Sequence, residues 1–83
     1  MDARRKKILF QNQHRGMKEN DLLIGGYTKE HIEQLNDEQL SRFEALLQEG
    51  DSDLYNWIME KEPIPDEFDN DIMAALIAYK NKL

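Results

Sequence analysis

Apolar residues recur along most of the chain at intervals of three and four, and no stretch alternates with the two-residue rhythm of a strand. Five helices account for that pattern. The first runs from about Ala3 to Gln13, and Gly16 follows it as the residue best able to take a left-handed exit. The second starts near Met17 and carries Leu22, Leu23, Tyr27 and Ile32. Gly25-Gly26 is its weak point, since each glycine costs about 1 kcal/mol relative to alanine inside a helix. Thr28 could cap a fresh start, so this helix is expected to bend or break there. Asn36 caps the third helix and Gln39, three residues on, completes a capping box. Leu40, Phe43, Leu46 and Leu47 form its apolar stripe, and Gly50 stops it. The fourth begins at Asp51 or Ser52 and sets Leu54, Trp57 and Ile58 on one side. Glu62-Pro63-Ile64-Pro65 is an extended connector, because a residue before proline is pushed out of the helical region. Asp66 then caps a fifth helix that buries Phe68, Ile72, Ala75, Leu76 and Tyr79. Short links between neighbours favour antiparallel packing. The expected fold is all-α, a compact five-helix bundle, with residues 1–83 forming one helical domain.

Composition agrees with a small folded unit. The chain has 83 residues, 40% hydrophobic and 34% charged, with no cysteine to supply disulfides or thiolate metal ligands. The net charge of −6 argues against general binding to nucleic acid or anionic membranes, and no apolar run approaches a membrane span of about 20 residues. The charge is uneven. Residues 1–18 carry a net +5 and residues 19–83 a net −11. That polarity suits either a basic docking edge beside an acidic body or a basic first helix packed internally on the acidic remainder. Arg4-Arg5-Lys6-Lys7 reads as a solvated helix turn rather than a targeting segment, because Asp2 is acidic and the patterned region begins at once.

Catalytic and metal-site patterns are weak. His14 and His31 lie in different elements without further ligands at metal spacing. Asp51-Ser52-Asp53 lacks the glycine and terminal glutamate of a calcium loop and reads as a helix start. Gly25-Gly26 lacks nucleotide-loop spacing, and Ser41 and Ser52 have no base beside them. Trp57, at helical spacing from Leu54, belongs to the core rather than to a stacking site, and Tyr55 carries no functional signal of its own. One segment departs from this description. His14-Arg15-Gly16-Met17-Lys18-Glu19-Asn20-Asp21 concentrates charge, a glycine and an amide at a helix–helix junction. Arg15 offers a planar fork for a carboxylate, Gly16 admits a close approach, and Glu19 stands four residues on, close enough to hold the guanidinium. Spacing alone fits a local cap with an internal Arg15–Glu19 pair as well as a binding surface.

The run Arg15-Gly16-Met17-Lys18-Glu19-Asn20-Asp21-Leu22-Leu23 resembles the R-G-x-x-E signature of the family of succinate dehydrogenase assembly factor 2. Leu46-Leu47, Asp51-x-Asp53-Leu54-Tyr55-x-Trp57, and the Pro63-x-Pro65 connector before Phe68 are similar to later stretches of that family, so the resemblance covers roughly residues 4 to 80. It implies a monomeric five-helix bundle that binds the flavoprotein subunit of succinate dehydrogenase, and in bacteria that of fumarate reductase, and promotes covalent attachment of FAD to it. On that basis the protein is an assembly factor, chaperone-like rather than an enzyme. It would hold no cofactor stably, FAD being the client's. The partner-binding residues implied are Arg15, Gly16 and Glu19, with Met17 and Asp21 beside them. Arg15 would make a charge-assisted contact to the client. The setting implied is a bacterial cytoplasm, or the mitochondrial matrix for a trimmed eukaryotic chain, with no membrane insertion and no nucleic acid. A competing expectation is a small acidic adaptor or antitoxin-like module acting through residues 37–71, where 12 acids face only Arg42 and Lys61.

Overall fold

The computed structural model describes residues 1–13 and 15–83, and these form five helices. Helix α1 spans Ala3–Gln11, opened by the Asp2 side chain, which accepts from the Arg5 backbone N–H at 2.8 Å. It closes two residues earlier than the pattern predicts, at an Asn12 C-cap. Helix α2 begins with an α turn, Lys18–Asn20, passes through a π segment, Asp21–Gly25, and continues as α structure over Gly26–His31. A 3₁₀ turn, Ile32–Gln34, follows it. Helix α3 spans Asp37–Leu46 and carries the Asn36/Gln39 capping box in both directions. Helix α4 spans Asp51–Ile58 and helix α5 spans Asp71–Lys82. Among the described residues no helix is long and apolar enough to cross a membrane.

The core is one cluster fed by every helix. Ile8 comes from α1, Leu23, Ile24 and Tyr27 from α2, and Leu40, Phe43 and Leu46 from α3. Leu54, Trp57 and Ile58 come from α4, and Ile72, Met73 and Leu76 from α5. Trp57 is a core residue, stacked at a tilt on Phe68 with ring centroids 5.5 Å apart. The radius of gyration is 11.7 Å, against about 11.8 Å for a compact chain of this length.

Four expectations need correction. Helix α2 does not break at Gly25-Gly26: both residues keep helical backbone angles, and Thr28 caps nothing but donates to the Ile24 carbonyl at 2.6 Å. The glycines instead make room. A Cβ on Gly25 would lie 2.6 Å from the Asn12 carbonyl oxygen, and one on Gly26 would lie 2.5 Å from the Tyr79 hydroxyl. Gly16 is not left-handed either, since no glycine among the described residues has positive φ. Asp66 does not cap the last helix: Asp66–Phe68 is a 3₁₀ turn, and Asn70 caps α5 through its Oδ1, which accepts from the Ile72 and Met73 backbone N–H groups. Leu22 is 60% exposed rather than part of the α2 apolar stripe. At about 100° per residue it lies opposite the side that Asn20, Leu23, Ile24 and Tyr27 bury, so helical spacing itself turns it outward.

The basic N-terminus is in part packed internally. Arg4 pairs with Glu44 at 2.6 Å, and Arg5 pairs with Asp2 and donates to the Ile32 carbonyl at 3.0 Å. Lys6 and Lys7 stay exposed.

Candidate functional site: the α1–α2 junction

The junction is a short link from α1 into α2, and Arg15 anchors it. Its Nε donates to Asp51 Oδ1 at 2.5 Å and its Nη1 to Asn12 Oδ1 at 3.1 Å. The expected Arg15–Glu19 pair is absent. Met17 is the N-cap of α2, with extended angles of φ −123° and ψ 122°, so Arg15 lies outside the helix that carries Glu19 and the i,i+4 geometry never forms. The Arg15 backbone N–H donates to Asp21 Oδ1 at 2.7 Å, which ties the link to the first turns of α2.

Asp51 is the hub on the opposite side. It is the first residue of α4, where the positive end of the helix dipole favours a carboxylate. Asn20 is fully buried and donates from Nδ2 to the Asp51 carbonyl at 2.9 Å and to Oδ1 at 3.3 Å. Burial pushes the Asp51 carboxyl up. The Arg15 and Asn20 hydrogen bonds, the Arg15 charge and the Gly16 backbone N–H outweigh that and hold it below its ordinary value. Asn12, also fully buried, donates from Nδ2 to the Ile8 carbonyl at 2.7 Å, so the network reaches back into α1.

The residues singled out in the sequence thus divide by environment. The Arg15 side chain is only 12% exposed and is used within the molecule. Asp21 and Met17 are half-buried. Gly16 and Glu19 are exposed, and no hydrogen bond or ion pair among the described residues reaches the Glu19 side chain. A Cβ on Gly16 would meet only Asp51 Oδ2, at 3.6 Å, an ordinary contact. Among the described residues nothing therefore requires glycine at this position. His14 lies outside the described residues, and His31 packs its ring 4.8 Å from that of Tyr27, away from the junction. Asp51, Asn20 and Asn12 were not picked out as members of the site. A signal for two of them was present: R-G-x-x-E-N-D and D-x-D are separate stretches of one resemblance, and they are bonded to each other here.

A family model described as "Flavinator of succinate dehydrogenase" matches residues 6–80, a span that includes the whole network. The chain belongs to this family. It is similar to the mitochondrial succinate dehydrogenase assembly factor 2 of Dictyostelium discoideum, with 44% identity over 72 residues, covering 87% of this chain and 51% of the relative. Two fly relatives, assembly factor 2-A of Drosophila sechellia and 2-B of Drosophila melanogaster, are 35% and 33% identical over 78 residues. Each alignment covers 92% of this chain, and 48% and 50% of the respective relatives. The chain spans about half the length of the curated relatives it matches. It is the Arg15 side chain of the flavinator signature that turns inward, and Gly16 and Glu19 that face out.

Proposed function

We propose that this protein binds the flavoprotein subunit of succinate dehydrogenase and promotes covalent attachment of FAD to it, as an assembly factor that contributes no reacting group of its own. The observation that carries this reading is Gly16. It is exposed, has no positive φ, and has internal room for a side chain, so its lack of one serves an outside surface. It stands between an arginine used internally and a glutamate left outward, on a segment matched by a flavinator model.

The mechanism is conformational. Covalent attachment would join a histidine of the client to the 8α carbon of its flavin, chemistry that the client's own groups and its FAD would supply. The factor's share is to hold the client so that histidine and flavin stay aligned and the developing negative charge meets fixed dipoles. Arg15 is a positioning residue in this scheme, fixing the link on Asp51. Gly16 allows backbone-close docking, and Glu19 pairs with a basic group of the client. The same work suits a bacterial cytoplasm or a mitochondrial matrix, with the factor acting as a monomer.

The test is covalent flavin in the client. Denatured flavoprotein subunit is separated on a gel and read by flavin fluorescence, with and without this protein. Fluorescence that needs the protein, and is not restored by Gly16→Arg or Glu19→Ala, supports the reading. Equal fluorescence with and without the protein overturns it. The flavoprotein subunit of fumarate reductase, run in parallel, shows whether a second client is served.

A further inference from the structure

Among the described residues four large apolar side chains are strongly exposed: Met1, Phe10, Leu22 and Leu83. Two of them end the chain. The other two, Phe10 at 72% and Leu22 at 60% exposure, sit on α1 and α2 where those helices meet. The Gln13 backbone N–H bonds to the Phe10 carbonyl at 3.3 Å, which sets Phe10 one turn before Gln13 at the end of α1. Gln13 in turn lines an open groove of about 440 Å³ with Asp21, Leu22, Gly25, Gly26 and Lys29. The glycine at 25 brings the backbones of the two helices into contact at Asn12, which forms this groove's floor-level crossing.

The groove's border is basic. Lys6 and Lys7 precede Phe10 by one helical turn, Lys18 precedes Leu22 by one turn, and Lys29 lines the groove itself. All four are exposed, and none is in an ion pair among the described residues, whereas Arg4, Arg5, Arg15, Arg42 and Lys80 all are. Asp2, Glu19, Asp21, Glu30 and Glu33 stand near these lysines in sequence, but none pairs with one of them among the described residues, and Asp21 accepts from the Arg15 backbone. In a chain of net charge −6, this is a local excess of uncommitted positive charge around two uncovered apolar groups. The face is continuous with the junction, since Asp21 belongs to both.

We propose that the α1–α2 face built on Phe10, Leu22 and the four lysines is a second half of the docking surface, and that it receives an acidic segment of the client bearing apolar side chains. This rests on the flavoprotein reading for the identity of the client. Apolar contacts at Phe10 and Leu22 supply the affinity, and the lysines supply register and encounter rate. Four lysines on an otherwise acidic chain are too few to hold a polyanion such as a nucleic acid.

The test titrates the purified flavoprotein subunit against the full chain by calorimetry at two salt concentrations. Phe10→Ser with Leu22→Ser should weaken binding about tenfold or more. Lys6→Glu with Lys29→Glu should weaken it several-fold at low salt and flatten its salt dependence. Both double variants should keep the wild-type thermal midpoint, because the altered side chains are exposed. If Gly16→Arg abolishes binding while Phe10→Ser/Leu22→Ser binds like wild type, this inference falls and the flavoprotein reading stands. If the wild-type chain does not bind the subunit, both fall. A dimer in sedimentation that disappears with Phe10→Ser would assign the face to a second copy. Phe10-dependent binding to vesicles containing anionic lipid would assign it to a membrane. Either result overturns the proposal.

Discussion

Arg15 donates to Asp51 across 36 residues of sequence, and that one contact fixes the angle at which the signature segment leaves the bundle. The guanidinium is mostly buried and the carboxylate 28% exposed, so the pair falls between an exposed ion pair and a fully buried one. Removing either partner leaves the other without its main contact. Arg15→Ala and Asp51→Ala should each cost about 2 kcal/mol in urea unfolding. The double variant should cost clearly less than the two losses combined, the signature of direct coupling. Additive losses would show that the two side chains stabilise the fold independently of each other.

Acid should loosen the same contact. The folded Asp51 carboxyl titrates below its ordinary value of 3.8, so its stabilising effect is fully present above about pH 4. It is lost as the pH falls through the folded value. Native-state hydrogen exchange should show the Gly16 amide, which bonds to Asp51, losing protection below about pH 4, and Asp51→Asn should remove that pH dependence. An unchanged profile in Asp51→Asn would assign the acid step to another carboxylate.

Gly16 separates stability from docking. Gly16→Ala should leave the unfolding midpoint unchanged or slightly raised, since the added methyl makes an ordinary contact and the unfolded chain loses freedom. Gly16→Arg should also fold, with a far-ultraviolet spectrum like wild type, yet fail to support flavin attachment. A marked loss of stability in Gly16→Ala would mean that the fold itself needs the glycine.

The paired glycines of α2 should respond unequally. Gly25→Ala drives a methyl against the Asn12 backbone carbonyl, which has little room to move. The expected net loss is about 2 kcal/mol, despite the better helix propensity of alanine. Gly26→Ala meets the far end of the Tyr79 side chain, so it should cost less, and Tyr79→Phe should recover part of the loss. Chemical denaturation of the four variants checks the order.

Glu60 is the one non-glycine residue with positive φ among those described, at 59°. It follows α4, where the Lys61 backbone N–H bonds to the Asn56 carbonyl at 2.8 Å and that of Glu60 to Trp57 at 3.1 Å, the helix ending that glycine favours. Glu60→Gly should raise stability by about 1 kcal/mol. Its exposed ion pair with Lys80, at 3.2 Å, offsets little of that gain. A lower thermal midpoint in Glu60→Gly would give the ion pair the larger share.

What the sequence made legible follows the range of each signal. The Asn36/Gln39 capping box and the Leu40–Phe43 stripe are settled within one turn, and both stand as read. Trp57 was readable as core because its neighbours at helical spacing are apolar. The end of α1, the path of α2 and the partner of Arg15 depend on residues far along the chain. Gly25 answers to Asn12, Gly26 to Tyr79 and Arg15 to Asp51, none of which local spacing reveals. Asp66 and Asn70 are both good capping types, and only the 3₁₀ turn at Asp66–Phe68 decides between them. Within the candidate site, the internal partner of Arg15 is not legible, because an i,i+4 pair with Glu19 presumes a helix that has not yet begun at Arg15, and the guanidinium meets Asp51 instead.

The π segment of α2 acts as a phase adjuster between two halves of one helix. Upstream, Asn20 must point at α4, and downstream, Tyr27 must point into the core. A regular α-helix advances about 100° per residue and would set these two residues, seven positions apart, on nearly the same side. The wider turn over Asp21–Gly25 rotates the downstream half of the helix relative to the upstream half, and Leu22 lies on its exposed side. Shortening α2 by one residue there would not simply tidy the helix. It would turn the junction and the hydrophobic interior out of step, so that holding Asn20 on α4 would cost the packing of Tyr27, or the reverse.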